Sequence, residues 1–280
     1  MLVELAIGDA YGAGFEYAPD SLVRDRNDLT AYVQHPRHDI TPGCYTDDAQ
    51  MSIAVAEAIV SGEPWNAEHL ARRFVTAFKR DEREGYARSF YAFLQEITDG
   101  DEFLARIKPH SDKSGGAMRA APIGVYSNVG TVIDRSKRQA ELTHKTTDGT
   151  NAAIAASLMA HYCLYNIGPK AELPQFISEY VPGSWIAPWF GKVGHKGLDS
   201  VHAALTAVVA HNSLSDILRA SIAYTGDVDT VATIALGAAA GSQEVDQNLP
   251  QCLYDNLENG PYGLDYLIQL DRQLLGPVIK

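Results

Sequence analysis

The sequence predicts an all-α protein folded as one compact multi-helix domain over residues 1–280, and three observations carry that expectation. Apolar residues recur at helical spacing in segment after segment, while the period-two alternation that marks strands is scarce. Several of these segments are built from alanine and other small residues, which suits helices that approach one another closely. Their ends carry helix punctuation, with Thr or Asp ahead of the apolar run and Gly or Asn behind it.

Taken in chain order, the first feature is "GDAYGAGFEY", Gly8 to Tyr17, whose glycines at 8, 12 and 14 permit close backbone approach or positive φ. The stretch from Tyr17 to Cys44 is rich in Pro and polar residues and reads as a long loop, with Glu16 at its edge. "YTDDAQ" then opens a run that is apolar nearly all round and closes on Gly62, a buried central helix with a glycine stop. "WNAEHLARRFVTAFKR" sets Leu70, Phe74, Val75 and Phe78 on one face and its charges on the other, so it lies at the surface. "SGGAMRAAPIGVYS" begins in a glycine loop and is broken at Pro122 into two short helical pieces. "TDGTNAAIAASLMAHYCLYN" is a small-residue helix capped by Thr147 or Asp148. A second loop, "YVPGSWIAPWFGKVGHKG", precedes two helices, "SVHAALTAVVAHN" and "LSDILRASIAY". The latter delivers the chain to "TGDVDTVATIALGAAAG", and "PYGLDYLIQLDRQLL" closes the fold.

Composition narrows the function. A formal net charge of −12 disfavours broad affinity for nucleic acid or an anionic membrane, both of which need surplus Lys and Arg. The longest apolar pieces run to roughly a dozen residues, short of the twenty or so that span a bilayer. Met1 to Ala10 carries Glu4 and Asp9 and no basic region, which is unlike a signal peptide. Cys44, Cys163 and Cys252 are odd in number and lack metal or redox spacing, so the expectation is reduced thiols, mostly in the core, in a cytoplasmic protein.

Two segments share an unusual design. Thr46, Asp47 and Asp48 stand before one buried helix, and Asp227, Asp229 and Thr230 before another. Either motif alone reads as helix capping, with acids suited to the positive end of the helix dipole. The pair reads differently: if the two N-termini converge, four aspartates repel one another or stay protonated unless a cation joins them. Oxygen ligands suit Mg²⁺, Mn²⁺ or Ca²⁺ better than zinc, and two such ions can share bridging aspartates. Backbone N–H groups of Ser114, Gly115, Gly116 and Ala117 at a helix start suit a phosphate, although for this motif by itself a plain glycine turn is the better explanation. Arg119 is either a buried partner or a phosphate clamp. His144 reads as a loop anchor, and His35, His38, His195 and His202 have no metal-site spacing. The aromatics of the second loop suit core packing or base stacking.

In this order, "GDAYGAGFEY", "PGCYTDDAQM", "GGAMRAAPIG", "LTH" and "GDVDTVATIALGAAAG" resemble the ADP-ribosylglycohydrolase family, which includes dinitrogenase reductase-activating glycohydrolases and ADP-ribosyl-acceptor hydrolases. The resemblance implies an all-helical fold with a binuclear Mg²⁺ or Mn²⁺ centre at helix N-termini. It implies Thr46, Asp47, Asp48, Asp227, Asp229 and Thr230 as metal ligands, Glu16 as the loop glutamate near the scissile ribose, Ser114 to Met118 as the diphosphate loop and His144 as a ligand neighbour. Asp47, Asp48, Asp229 and Glu16 become the candidate catalytic groups. Three departures bear on substrate preference: Lys113-Ser114 stands where Gly-Asn is common, Lys145 to Thr147 replaces an Asn-His-Pro type of sequence, and Thr225-Gly226 replaces Gly-Gly. The implied reaction is hydrolysis of the bond between ADP-ribose and an acceptor, arginine foremost or a nucleobase. A non-catalytic ADP-ribose binder and a two-metal phosphoesterase are the alternatives.

Overall fold

The computed structural model describes residues 1–276 of the domain expected over 1–280. It contains fourteen α-helices: α1 (Leu2–Ala13), α2 (Asp20–Arg26), α3 (Asp47–Val60), α4 (Ala67–Arg80), α5 (Arg88–Glu96), α6 (Gly100–Arg106), α7 (Val129–Glu141), α8 (Thr147–Tyr165), α9 (Leu173–Tyr180), α10 (Gly197–Ala210), α11 (Leu214–Ala223), α12 (Val228–Ala239), α13 (Gln251–Asp255) and α14 (Leu264–Leu275). Among the described residues no strand forms, and the only β-type pairings are isolated bridges such as Lys113 with Lys196 and Val193 with Gly226. No helix of the described residues is long and apolar enough to cross a membrane.

Two helices lie at the centre. Every residue of α12 is buried, as is every residue of α3 from Asp47 to Ala58, so both are surrounded by other helices rather than laid on a surface. Helix α1 packs along α12, and its glycines explain how. A Cβ on Gly8 would lie 2.7 Å from the carbonyl oxygen of Ala232, and one on Gly12 would lie 2.8 Å from the backbone nitrogen of Asp229. Both glycines have ordinary helical φ, so close approach is what they provide, not positive φ. Helix α14 completes this layer, where Asp271 accepts from Leu2 N at 2.9 Å and so caps the start of α1.

The expected surface helix is α4, with Leu70, Phe74, Val75 and Phe78 all buried. The glycine stop of α3 is present too, Gly62 having φ +67°. Several elements differ from the sequence reading. The Gly8 segment belongs to a full helix, α1, which glycines obscure because they disfavour helix by propensity. The first long loop contains α2. The two expected pieces are short 3₁₀ segments, Ser114–Gly116 and Ala121–Val125, with Pro122 inside the start of the second, where it costs no hydrogen bond. The cap of α8 is Thr146, one residue earlier than expected, its hydroxyl accepting from Gly149 N at 3.0 Å. Of the three thiols, all free, Cys163 is buried and Cys44 and Cys252 are half-buried.

Candidate active site

The cap of α3 is the first surprise. Neither Thr46 nor Asp47 caps it, although both were candidates. Asp9, from the middle of α1, does so instead: its Oδ2 accepts from Thr46 N at 2.9 Å and Ala49 N at 2.8 Å, and its Oδ1 accepts from the Thr46 hydroxyl at 2.7 Å. Asp227, at the N-cap position of α12, likewise makes no side-chain cap. The acids at both helix heads are thereby left free to face a shared space.

That space is a cavity of about 700 Å³. Asp47, Asp48, Asp227, Asp229, Thr230 and Glu16 all line it. Carboxylate oxygens of Glu16, Asp227 and Asp229 come within 4.8 Å of one another. Asp48 Oδ2 and Asp229 Oδ1 are buried with no hydrogen-bond partner among the described residues. Carboxylate oxygens buried without donors are costly in water-free surroundings and fit a hard cation, so the residues present suit the divalent metal that the sequence implied. Thr46 does not itself line the cavity; it stands behind Asp47 with its hydroxyl turned to Asp9.

Burial dominates the electrostatics. Loss of water raises the carboxyl of Asp47 well above its usual value, with Asp9 and Glu16 adding to the rise. Asp48 rises for the same reason, with Asp47 the largest charge contributor, and so does Asp229, with Glu16 and Asp48 adding. Glu16 is pushed up to about 7 by burial and by Asp227. Asp227 reaches about 6 by burial, held there by the hydroxyls of Ser114, Thr230 and Ser200. These shifts make a stability prediction. A carboxyl raised in the folded state keeps a proton that the unfolded chain has released, so stability falls as pH rises between the two values. Buried His144, lowered to about 3 by burial and by Arg119, acts in the opposite sense below the ordinary imidazole range. Above about pH 6.5 the carboxyls prevail. Melting of the metal-free protein in EDTA is therefore expected at a lower temperature at pH 8 than at pH 6.5, and excess Mg²⁺ should reverse that order.

Glu16 is held by its backbone. His35 Nδ1 accepts from Arg37 N (3.0 Å) and His38 N (2.9 Å), which places the imidazole proton on Nε2, and Nε2 donates to Glu16 O at 2.8 Å. The next residue, Tyr17, has φ +46°, and two bonds secure it: Tyr17 N to Gly226 O (2.8 Å) and Arg37 Nη2 to Tyr17 O (2.7 Å). Thr225, the departure from Gly-Gly, also sits at positive φ, +59°, a conformation disfavoured for a branched residue and tolerated here because Val193 N bonds to its carbonyl.

The loop that follows Lys113 is only partly the expected cradle. Ser114, Gly115 and Met118 line the cavity, whereas Gly116 and Ala117 are buried behind it. Ser114 N, Ala117 N and Met118 N already have backbone acceptors, Gly116 N belongs to the 3₁₀ turn, and the Gly115 N–H has no partner among the described residues. The glycines have a packing reason as well: a Cβ on Gly115 would meet His144 Cε1 at 3.0 Å, and one on Gly116 would meet His144 Cγ at 3.2 Å, so the imidazole lies against the loop. Arg119 is a buried partner that also borders the cavity. It is 1% exposed, its guanidinium stacks over Phe74, and it donates to Gln139 Oε1 and Thr143 Oγ1, both at 2.8 Å. The Thr143 hydroxyl also bonds to His144 Nδ1 (2.7 Å), and when it is the donor there the neutral ring carries its proton on Nε2. Lys108 and Lys113 also line the cavity, and neither is paired with a carboxylate among the described residues.

Sequence reasoning missed Asp9, Thr143 and Gly85. Gly85 lies over the Thr46–Asp47 head, where a Cβ would reach Thr46 Cβ at 2.7 Å, and nothing in its surrounding sequence signals this. The second-loop aromatics split: Trp185 is buried and donates to Val181 O at 2.9 Å, while Phe190 is 82% exposed.

An all-helical body with an acid-lined cavity between two helix heads defines, with its relatives, a glycosyl-bond hydrolase. The chain belongs to the ADP-ribosylglycohydrolase family, whose model matches residues 1–278. It is 29% identical over 320 aligned positions to ADP-ribosylhydrolase ARH3 of Homo sapiens, covering 90% of this chain and 86% of that protein. It is 24% identical to ADP-ribosylarginine hydrolase Tri1 of Pseudomonas putida (strain GB-1), covering 86% of this chain and 68% of that one. A solved structure described as an ADP-ribosylglycohydrolase-related protein complex superposes with a TM-score of 0.73 at 20% identity, over 98% of this chain and 94% of that chain, which shows a shared fold.

Proposed function

We propose that the protein hydrolyses the glycosidic bond between C1″ of ADP-ribose and an acceptor, arginine foremost, with two Mg²⁺ or Mn²⁺ ions. The observation that carries this reading is the cavity's double character. One set of lining residues is a cluster of carboxylates, two of whose buried oxygens lack any donor among the described residues; the other offers Lys113, the Gly115 N–H and the His144 imidazole. The second set suits a diphosphate and the first a ribose ringed by cations. A volume of about 700 Å³ lies within the usual range for small-molecule sites.

Asp47, Asp48, Asp227, Asp229 and Thr230, which line the cavity, would hold the ions, and Thr46, whose hydroxyl proton is turned to Asp9, would join them through the lone pairs of that oxygen. Bound divalent cations would supply Lewis-acid polarisation of the ribose hydroxyls and of a water near the anomeric carbon. The chain's own residues do the rest. A carboxylate of Asp47, Asp48 or Asp229 accepts the proton of the attacking water as positive charge builds on the ribose. Glu16, whose backbone carbonyl is held by His35, positions that water or delivers a proton to the leaving group. A guanidinium leaving group suits the carboxylates clustered with Glu16. His144 stays neutral and donates from Nε2 to the diphosphate. A cytoplasmic, reducing setting belongs to the same proposal and fits three free thiols.

The test is chromatography of products from ADP-ribosylated arginine, serine and nucleobase substrates, with Mg²⁺ and with EDTA. Metal-dependent release of ADP-ribose is expected, fastest from arginine. AMP or phosphate as product would indicate a phosphoesterase. Binding of ADP-ribose with no turnover on any substrate would indicate a binding module.

A further inference from the structure

We infer that Asp9 is a positioning residue for cation binding, acting through the hydroxyl of Thr46; the inference rests on the proposed metal site. Asp9 is wholly buried in α1 and touches three donors of the α3 head. Two are backbone N–H groups, at Thr46 and Ala49, and both go to Oδ2. The third is the Thr46 hydroxyl, 2.7 Å from Oδ1.

The division between the two oxygens has a chemical consequence. A carboxylate only accepts, so the hydroxyl proton of Thr46 must point at Asp9 and the lone pairs of Thr46 Oγ1 must point away. An alcohol binds a hard cation through those lone pairs. Because Asp9 also takes the orphan N–H groups of the helix start, neither Asp47 nor Asp48 is drawn into capping. Independent support comes from the space the two helix heads share, where Asp48 Oδ2 of α3 and Asp229 Oδ1 of α12 are buried without partners among the described residues. One residue on a neighbouring helix thus sets the direction of a ligand hydroxyl and frees two ligand carboxylates.

The design can be broken one bond at a time. In Asp9→Asn the amide oxygen can keep both N–H bonds at the Oδ2 position, while the amide nitrogen faces Thr46 Oγ1 and donates to it. The cap survives and the hydroxyl polarity is inverted. Thr46→Val, with Asp9 intact, removes the same bond from its other end and leaves the N–H caps in place. Mg²⁺ and Mn²⁺ titrations of the purified full chain by calorimetry, with melting in EDTA alongside, read both variants and their combination.

Asp9→Asn is expected to melt cooperatively in EDTA and to bind metal roughly ten- to a hundredfold more weakly, the range seen when a partner of a metal ligand is altered. Thr46→Val should weaken binding as well, and the double variant should be no weaker than Thr46→Val alone. Unchanged metal affinity in either single variant would overturn the assignment. So would a loss in Asp9→Asn that persists in full on the Thr46→Val background, since that would be a through-space charge effect. If the unaltered chain binds neither ion, the metal reading itself fails, and the assignment with it.

Discussion

Asp229→Asn is expected to lower ADP-ribose release by about a thousandfold while leaving the metal-free protein at least as stable as its parent at pH 8. The two halves of that result have one cause. Asp229 is buried, and burial together with Glu16, Asp48 and Asp227 drives its carboxyl well above the usual range. In the absence of metal, ionising it at pH 8 costs the folded state, because a raised carboxyl subtracts from stability at every pH above its unfolded value. Asparagine has nearly the same volume and no charge, so this cost disappears. With metal the balance inverts. A ligand that binds only the folded state stabilises it by mass action, and the variant should lose much of the melting increase that Mg²⁺ gives the parent. Losing several kcal/mol of charge stabilisation in the transition state corresponds to about three orders of magnitude in rate. Turnover assays paired with melts in EDTA and in Mg²⁺ measure both. Turnover within tenfold of the parent, or a metal-free variant that melts well below it at pH 8, would remove Asp229 from the machinery proposed.

How much of this was legible in sequence depends on where each residue's partner lies along the chain. The acid-headed helices were readable because the pattern is local and occurs twice: a Thr, two carboxylates and a small apolar run. Asp9 was not, because the groups it bonds are at Thr46 and Ala49, far along the chain, and a lone acid in an apolar stretch carries no direction. Arg119 stayed ambiguous for the same reason; only Gln139 and Thr143, brought alongside by α7 and the turn after it, show that it is an internal partner at the border of the cavity. The loop at Gly115 and Gly116 was read as a phosphate cradle or a plain turn. Its glycines also have a third purpose, room for the ring of His144, which no local pattern encodes. Helix α1 was hidden by a true preference, since glycine inside a helix is unfavourable until another helix needs the space.

That last conflict yields the second large effect. Considered as an isolated helix, α1 should gain from Gly12→Ala by about 1 kcal/mol, the usual advantage of alanine over glycine. In the folded protein the sign is expected to reverse. The added Cβ would stand 2.8 Å from Asp229 N and nearer still to Asp229 Cα, and both are backbone atoms of α12 that no rotamer change can move aside. One helix must shift. Overpacking of this kind costs about 1–3 kcal/mol, which exceeds the propensity gain, so a melting temperature several degrees lower is expected. The shift falls on Asp229 itself, and displacement of a reacting or ligating group by about 1 Å can cost roughly a hundredfold in rate. Gly62→Ala is the control. Its Cβ meets nothing within 4 Å, but its φ is +67°, so it should lose stability through backbone strain and leave turnover per folded molecule unchanged. If Gly12→Ala and Gly62→Ala lowered stability alike and neither affected turnover, the close contact of α1 with α12 would have no bearing on the site. If Gly12→Ala alone lost activity and metal affinity together, the glycines of the first helix would count among the determinants of catalysis, because they set how near Asp229 stands to its neighbours.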